Sequence, residues 1–298
     1  MEKHGTRHYV YTYMINAIIF SKNRGAQLDL LLQSLKANAS NMFKMSNVYV
    51  LWTTESEHDM GGFSYNQGYK KCQQWWPDVN WIKEKDFKID LMNLLPHEHG
   101  ELVMLFTDDD IMYRRPPMLN WYVPFENPSI FCFSSRLGTN TFIQDPYNST
   151  ICIIPDTVTN QPYYFRNWSW VTESVCSNFG YPFSVDGNIF RQTDLIDLLY
   201  MFGDFSNPNG LESRAIDFMN VNRNIIPPQM CCLENSFVVN TPLNRVQNTA
   251  ENRFGETHGI SSDQLETDLI MGKRLSFENM KIDEVVGSHQ EMELVYAS

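Results

Sequence analysis

The first third of the chain alternates short apolar runs with longer amphipathic segments. Ile15–Phe20 (INAIIF) has the length and continuity of a buried strand, and Ala26–Leu35 repeats leucine at helical spacing. The same alternation continues as far as residue 107, where it predicts strands at Val48–Thr53, Trp81–Lys83 and Leu102–Thr107 and helices at Ser64–Trp75 and Asp90–Leu95. Strand, polar loop, helix and strand in this order favour a mostly parallel α/β sheet with flanking helices.

Polar residues follow two of these strands directly, at 21–25 and 107–110. Both stretches are candidate binding positions because ligands of open α/β sheets bind at the carboxyl ends of the strands. From Ile130 onward an apolar strand at 130–134 precedes a long irregular stretch, which favours a binding region because loops on a rigid scaffold commonly carry binding. Further predicted elements are helices at Thr193–Met201, Leu211–Val221 and near Ser262–Met271, and a strand at Ser236–Asn240.

No internal repeat and no Pro/Gly-rich linker interrupts the chain, so we expect one domain over residues 1–298. It divides into two halves, about 1–129 and about 130–298. The net charge of −12 repels a phosphate backbone, which argues against a nucleic-acid partner. Without an apolar run of about 20 residues or a signal-peptide pattern, we expect a soluble, cytoplasmic protein. Six cysteines without CxxC spacing are expected to be free thiols.

Three adjacent carboxylates, Asp108, Asp109 and Asp110, come directly after the apolar run LVMLF. They repel one another at a strand end unless a cation or strong hydrogen-bond donors hold them. Hard oxygen ligands suit Mg²⁺ or Mn²⁺, which proteins usually bind through one or two carboxylates and substrate phosphates. The alternative is a solvated acidic turn, and the buried strand that leads into it argues against that reading.

Four further blocks follow the aspartates in order. They read FSSRLGTNT (133–141), SVDGNIFR (184–191), NPNGLE (207–212) and VNTPLNRVQ (239–247). Together with the DDD, and over residues 15 to 275, the chain resembles nucleotide-sugar glycosyltransferases of the GT-A fold. It is similar to exostosin-type, bacterial and large-DNA-virus members, including xylosyltransferase-like ones. The resemblance implies a Rossmann-like central sheet with an irregular acceptor-binding half, and a DxD motif.

The resemblance also assigns binding roles. The first strand and the loop after it cradle the nucleotide, and this places Phe20, Ser21, Asn23 and Arg24 at the donor. Arg24 could meet the diphosphate as a fork of donors or could be part of a basic helix start. The other residues expected at the donor are Asp108, Asp109, Arg136 and Arg245, with Phe87, Lys88 and Asp90 as weaker candidates. Arg245 could equally be a structural ion-pair partner.

The metal is expected to be Mn²⁺ or Mg²⁺, and the donor a UDP-linked sugar. Asp110 and Asp108 are the carboxylates expected at the metal, with Asp110 as the direct ligand and Asp108 on the ribose side of the motif. A third ligand often comes from the carboxyl-terminal part of these enzymes, and His258 in GETHGIS is the local candidate among seven histidines. A lone histidine is also often a surface residue.

Two carboxylates in the second half are candidates for catalysis. Glu212, at a predicted helix start, is expected to act as general base, and Asp186 to bind a sugar hydroxyl; the reverse assignment stays open. A helix start favours the charged form of Glu212 and would weaken it as a base if it were solvated. In the alternative reading, Glu212 only stabilises the start of a helix with its negative charge, by ~0.3–1 kcal/mol. Asp186 would then be a turn residue that bonds its own backbone.

An aromatic segment at 163–188 is the expected acceptor surface. Trp168 and Trp170 lie two residues apart, so on an extended segment they would face the same side and could stack on sugar rings. Alternatively, both side chains fill the interior of this irregular half.

These features together predict a metal-dependent glycosyltransferase. It would move a sugar, with xylose among the candidates, from a nucleotide diphosphate to a hydroxyl of a carbohydrate, with inversion at the anomeric carbon. A sugar nucleotidyltransferase is a rival, although SKNRGAQ contains only one of the glycines that its phosphate loop needs. A non-catalytic, cation-dependent carbohydrate-binding protein is the rival from another class.

Overall fold

The structure is a computed structural model that describes residues 15–54, 63–95, 102–145, 150–156, 158–160, 165–173, 178–246, 254–282 and 284–297. The strands are β1 (Ile15–Lys22), β2 (Val48–Thr53), β3 (Asn80–Lys83), β4 (Leu102–Thr107), β5 (Asp110–Ile111), β6 (Ile130–Ser134), β7 (Ile143–Asp145), β8 (Thr150–Ile151), β9 (Val158–Asn160), β10 (Phe165–Ser169), β11 (Asn188–Arg191), β12 (Gln229–Cys232) and β13 (Val239–Asn240). The helices are α1 (Gly25–Asn38), α2 (Tyr65–Trp75), α3 (Phe87–Leu94), α4 (Gln192–Met201), α5 (Pro208–Val221) and α6 (Ser262–Ile270).

One nine-stranded sheet, in the order β3-β2-β1-β4-β11-β6-β12-β10-β9, includes strands from both halves of the chain. Strands β10 and β11 run opposite to the other seven. The predicted fold class is therefore confirmed: a mixed α/β fold with a mostly parallel central sheet and flanking helices. Since β1 and β4 are adjacent and parallel, the loops that follow them meet at one edge of the sheet.

Local sequence explains the elements of the first half. Strand β1 is buried along nearly its whole length, as expected for a parallel strand covered on both faces. Helix α2 begins with a capping box in which Ser64 and Gln67 bond each other's backbone N–H groups. Helix α3 begins three residues earlier than predicted because Asp86 caps it by accepting the backbone N–H of Ile89.

The second half contains more sheet than the sequence pattern predicted. Strands β9 to β12 lie in the stretch expected to be irregular or helical, and all four join the central sheet. Strand β11 is inserted antiparallel between β4 and β6. The strand predicted at Ser236–Asn240 is shorter than expected, because only Val239–Asn240 pairs, with β5.

The expectation that Trp168 and Trp170 form a sugar-stacking surface is wrong. Both side chains are buried, and their indole N–H groups donate to the carbonyls of Phe179 (2.7 Å) and Pro227 (2.8 Å). Trp168 also packs edge-on against the Phe179 ring. Both tryptophans belong to the hydrophobic core, which was the alternative reading of the sequence.

Apolar side chains form a core on each face of the sheet. Side chains of α1 and α2 lie in one cluster, and those of α3, α4 and α5 lie in the other. A third cluster joins α1 and α6 to the carboxyl-terminal segment. In the part of the chain that the structure describes, five cysteines are free and buried, and no helix is long and apolar enough to cross a membrane. Cys176 lies outside the described residues.

Candidate active site

The three aspartates lie at the carboxyl end of β4, all buried. The backbone N–H of Asp108 donates to the carbonyl of Phe20 at the end of β1 (3.1 Å), and Asp110 begins β5. Asp110 is fully buried, whereas Asp108 and Asp109 are 3% and 8% exposed. A solvated acidic turn is therefore not what the chain forms here.

Asp108 is held by the loop that follows β1. Its Oδ2 accepts the Ser21 hydroxyl (2.8 Å) and the backbone N–H of Lys22 (3.0 Å), and its Oδ1 accepts Arg24 Nη1 (3.0 Å). Burial raises the pKa of Asp108 to about 6 against the opposing charge of Arg24.

Asp109 and Asp110 share one amide donor. Asn240 Nδ2, on β13, lies 2.9 Å from Asp109 Oδ1 and 3.1 Å from Asp110 Oδ1. The other oxygens accept Arg24 Nη1 (2.8 Å, Asp109) and the backbone N–H of Thr107 (2.9 Å, Asp110). Every carboxylate oxygen of the three aspartates therefore has a protein donor, which compensates for part of the cost of burying these groups together.

Arg24 is itself fixed by a second asparagine. Its Nε donates to Asn244 Oδ1 (2.7 Å) and its Nη2 to the Asn244 carbonyl, while Nη1 contacts both Asp108 and Asp109. The side chain is 9% exposed. Arg24 therefore neutralises the aspartates within the fold, which was not among its expected roles.

Asp186 lies in the turn that leads into β11 and faces the aspartates. The turn requires Gly187 (φ +75°), where a Cβ would come within 2.4 Å of the Ser135 hydroxyl. Asp186 Oδ1 accepts the Thr107 hydroxyl (2.9 Å), and Oδ2 lies 3.3 Å from His289 Nε2. Burial and then the charges of Asp186 and Asp109 hold the pKa of Asp110 well above its usual range.

Glu212 lies in the first turns of α5, which Asn207 caps by accepting the backbone N–H of Gly210 (2.8 Å). Its carboxylate accepts the backbone N–H of Val185 (3.0 Å) and the Tyr181 hydroxyl. Burial and the nearby Asp186 charge raise the pKa of Glu212. The sequence-based expectation of a weakened base applied to a fully solvated side chain, whereas this side chain is half-buried.

Arg136 follows β6 by two residues and is 2% exposed. Its positive charge favours the ionised forms of Asp186 and Glu212 against the effect of burial, and the Ser135 hydroxyl before it bonds the Gly187 carbonyl, so Arg136 lies with these two carboxylates. The structure does not place it with Ser21 and Arg24, on the side where the donor nucleotide was expected.

The remaining residues predicted from the sequence lie farther from the carboxylates. Phe20 is buried against Phe87, with ring centroids 5.2 Å apart. Lys88 forms an ion pair with Asp204 (2.9 Å), and Arg245 stacks over the Phe254 ring. Asn23 is buried and has a positive φ of 55°, which asparagine tolerates better than most residues.

His258 and His289 differ in position. The backbone N–H of His258 donates to Glu291 (2.7 Å) in an exposed loop, and among the described residues no contact joins its ring to the aspartates. His289 reaches Asp186 because the backbone of Asn240 bonds both Ser288 (3.0 Å) and Gln290 (2.9 Å). No three His, Cys, Asp or Glu side chains form a ready-made metal site in the described ranges.

Sequence reasoning missed four residues of the site. Asn240 and Asn244 are both in the VNTPLNRVQ block, which was a signal of importance but not of a role. Tyr181 and His289 have no local signal that distinguishes them from other tyrosines and histidines. Each makes its contact with a residue distant in sequence, and only the fold brings the partners together.

No family model matches the chain. The chain is similar to the bifunctional glycosyltransferase pgtA of Dictyostelium discoideum, with 25% identity over 289 residues. The match covers 90% of this chain and 36% of the relative, so the chain spans about a third of that protein's length.

Similar solved structures include Staphylococcus aureus TarS 1–349 in complex with UDP-GlcNAc, with 14% identity and a TM-score of 0.44 over 80% of this chain and 62% of that one. Another is the mannosyltransferase PcManGT of Pyrobaculum calidifontis in complex with GDP-Man and Mn²⁺, with 15% identity and a TM-score of 0.37 over 74% and 57%. Both TM-scores lie below 0.5. The chain is thus similar in sequence to one glycosyltransferase over nine-tenths of its length.

Proposed function

We propose that the protein is a glycosyltransferase that moves a sugar from a nucleoside diphosphate to a hydroxyl of a carbohydrate acceptor. The observation that carries the proposal is the carboxylate edge, where the charge of Asp186 acts both on Asp110 and on Glu212, which accepts the backbone N–H of Val185 next to Asp186. Such an edge offers separate groups for a charged leaving group and for proton removal. The sequence similarity to a glycosyltransferase supports the same reading.

A divalent cation, Mn²⁺ or Mg²⁺, fits this edge. Five carboxylates lie here near two arginines, Arg24 and Arg136, and the raised pKa of Asp110 reflects burial and the repulsion that a cation would remove. Asp110 would hold the ion. Since no three protein ligands form a preformed site in the described residues, donor phosphate oxygens would complete its coordination, as is usual for Mg²⁺. When bound, the ion neutralises negative charge on the departing diphosphate.

The donor would bind at the ends of β1 and β4. Ser21, Arg24 and Asp108 form one hydrogen-bonded group there. Asn23 lies between Ser21 and Arg24 in the chain. The expectation of a UDP-linked sugar, with xylose among the candidates, comes from the resemblance. A GDP-linked sugar is the donor to test against it.

Glu212 would act as the general base. As the acceptor oxygen forms a bond to the anomeric carbon, the bond from that carbon to the diphosphate oxygen breaks and the acceptor proton passes to Glu212. Attack from the side opposite the leaving group inverts the anomeric centre. Asp186, which Thr107 and His289 hold in place, would bind a sugar hydroxyl. The exchange of these two roles remains the alternative.

The test is to incubate the protein with UDP- and GDP-sugars and carbohydrate acceptors, with and without Mn²⁺, and to measure nucleoside diphosphate release and glycoside formation. We expect metal-dependent transfer and slow donor hydrolysis. Release of pyrophosphate from a nucleoside triphosphate and a sugar phosphate would instead support the nucleotidyltransferase. Binding without turnover of any donor would support the carbohydrate-binding protein.

Two histidine variants test which histidine of the carboxyl-terminal part contributes to cation binding. We expect His289→Ala to raise the Mn²⁺ concentration needed for donor binding, because His289 contacts Asp186 and is the histidine at the carboxylates among the described residues. His258→Ala is the matched control and should leave the Mn²⁺ requirement unchanged. The reverse outcome would assign this role to His258.

A further inference from the structure

Arg136 is a buried guanidinium without a partner among the described residues. It is 2% exposed, its Nε is inaccessible to water, and in the described part of the chain it makes no hydrogen bond or ion pair. A guanidinium carries five N–H donors, and burial of an unpaired charge is costly. A fold that keeps this arrangement therefore gains something from the charge itself.

The groups around Arg136 indicate what that gain is. The Ser135 hydroxyl, one residue before Arg136, donates to the Gly187 carbonyl (2.5 Å), and Glu212 accepts the backbone N–H of Val185 (3.0 Å). Arg136 therefore adjoins the turn at 185–187 that holds Asp186 and contacts Glu212. Its charge acts on both carboxylates and also on Tyr181 and Cys132. Cys132 lies on β6 and donates its thiol to the Pro182 carbonyl, so it is not available as a counter-charge. The two carboxylates are the anionic neighbours, and neither is within ion-pair distance in the described structure.

The charges that face Glu212 oppose one another. Asp186 disfavours the ionised carboxylate of Glu212, as does burial, whereas Arg136, the Val185 backbone N–H and the Tyr181 hydroxyl favour it. Tyr181 and Val185 belong to the segment that precedes β11, and Arg136 belongs to the loop after β6. Among these groups that favour the ionised carboxylate, Arg136 carries a full positive charge, whereas Val185 and Tyr181 act as neutral hydrogen-bond donors.

We propose that Arg136 is a positioning residue for proton transfer, whose unpaired charge keeps Glu212 ionised and ready to accept a proton. This inference rests on the proposed function, in which Glu212 is the base. Because the guanidinium is not bonded to Glu212, it acts at a distance and does not occupy the lone pairs that the Val185 N–H and the Tyr181 hydroxyl leave for the acceptor hydroxyl. It also replaces the donor-binding role expected for Arg136.

Two substitutions separate charge from shape. Arg136→Met removes the charge and keeps much of the side-chain volume, and Arg136→Lys keeps the charge. We expect the acid limb of the pH profile of kcat to move to higher pH in Arg136→Met, with kcat about tenfold lower near that limb and close to wild type at high pH. Arg136→Lys should keep the limb in place, and the affinity for the nucleoside diphosphate should not change in either variant.

A direct titration tests the inference independently of turnover. In protein labelled with ¹³C at the glutamate carboxyl carbons, Glu212→Gln identifies the Glu212 signal, whose midpoint should move to higher pH in Arg136→Met. An unchanged midpoint overturns the inference. A uniform loss of kcat at every pH, or a tenfold loss of donor affinity, also overturns it, because Arg136 would then bind substrate.

The two proposals can fail separately. Absence of transfer and of donor hydrolysis in the wild type would overturn the proposed function, while the ¹³C titration would still show whether Arg136 controls Glu212. If Arg136→Met does not fold, Arg136→Gln serves as a second neutral variant for the same titration.

Discussion

The two ends of the acidic edge are held in different ways. On the aspartate side, which comprises Asp108–Asp110, Arg24 and Asn240, every carboxylate oxygen accepts a protein donor and the arginine bonds two aspartates. On the glutamate side, which comprises Glu212 and Arg136, the carboxylate keeps bonding capacity and the guanidinium has no partner among the described residues. The fold therefore satisfies the hydrogen-bonding groups of the aspartate side and leaves hydrogen-bonding capacity on the glutamate side.

The largest expected effect comes from Glu212 itself. Glu212→Gln keeps the shape and removes the base, so kcat for transfer should fall about 10²–10⁴-fold while donor affinity changes little. Asp197→Asn, at an exposed position of α4, is the matched control. Kinetics with a saturating donor measure the effect, and a near-normal rate would move the role to Asp186.

Trp170→Ala tests the core that supports the glutamate side. Because Trp170 is 1% exposed and its indole bonds Pro227, the loss should destabilise the fold by about 3–5 kcal/mol. Transfer and donor hydrolysis should fall together, as chemical unfolding and both assays can show. A higher acceptor KM at unchanged stability would restore the sugar-stacking hypothesis.

Substitution of Glu266 tests how α6 supports the start of α1 on the aspartate side. This fully buried carboxylate on α6 accepts the backbone N–H of Ala26 (3.2 Å) at the start of α1, next to Arg24. Burial raises its pKa to about 8. The folded protein therefore binds this proton more tightly than the unfolded chain, and the resulting stability is complete below about pH 4.5 and lost as the pH rises through 8.

In Glu266→Gln that pH dependence should disappear. Wild type should lose on the order of a few kcal/mol relative to the variant between pH 5 and pH 9, measured by urea unfolding at each pH. If the free energy of unfolding of the two proteins varied with pH in parallel, the pKa of Glu266 would be the same in the folded and unfolded states, and the carboxyl would already be ionised in the fold at neutral pH.

Asn240→Ala should have the smallest effect of the four. It removes the amide shared by Asp109 and Asp110, which should cost about 1–3 kcal/mol of stability. Mn²⁺ should restore part of that loss if a cation binds at Asp110. Asn279→Ala, at an exposed position, is the control, and equal stability of the two variants would show that the Asn240 amide does not contribute to holding the aspartates.

Local sequence determined much of the aspartate side. The continuous apolar runs at Ile15–Phe20 and Leu102–Thr107 became adjacent parallel strands, because strands buried on both faces lack polar positions. That placed the residues after each run at one edge, so Ser21, Arg24 and Asp108 could be assigned to a common site. The class of fold followed from the same alternation.

Only the tertiary structure decided how the site is held. Asn240 meets Asp109 across 131 residues of chain and Asn244 meets Arg24 across 220, and no local pattern encodes such pairs. Burial of Trp168 and Trp170 depended on β10 joining the sheet beside β12, since the segment shows no clear period. The raised pKa of Glu212 likewise arose from burial and from Asp186, because electrostatic environment is a property of neighbours in space and not in sequence.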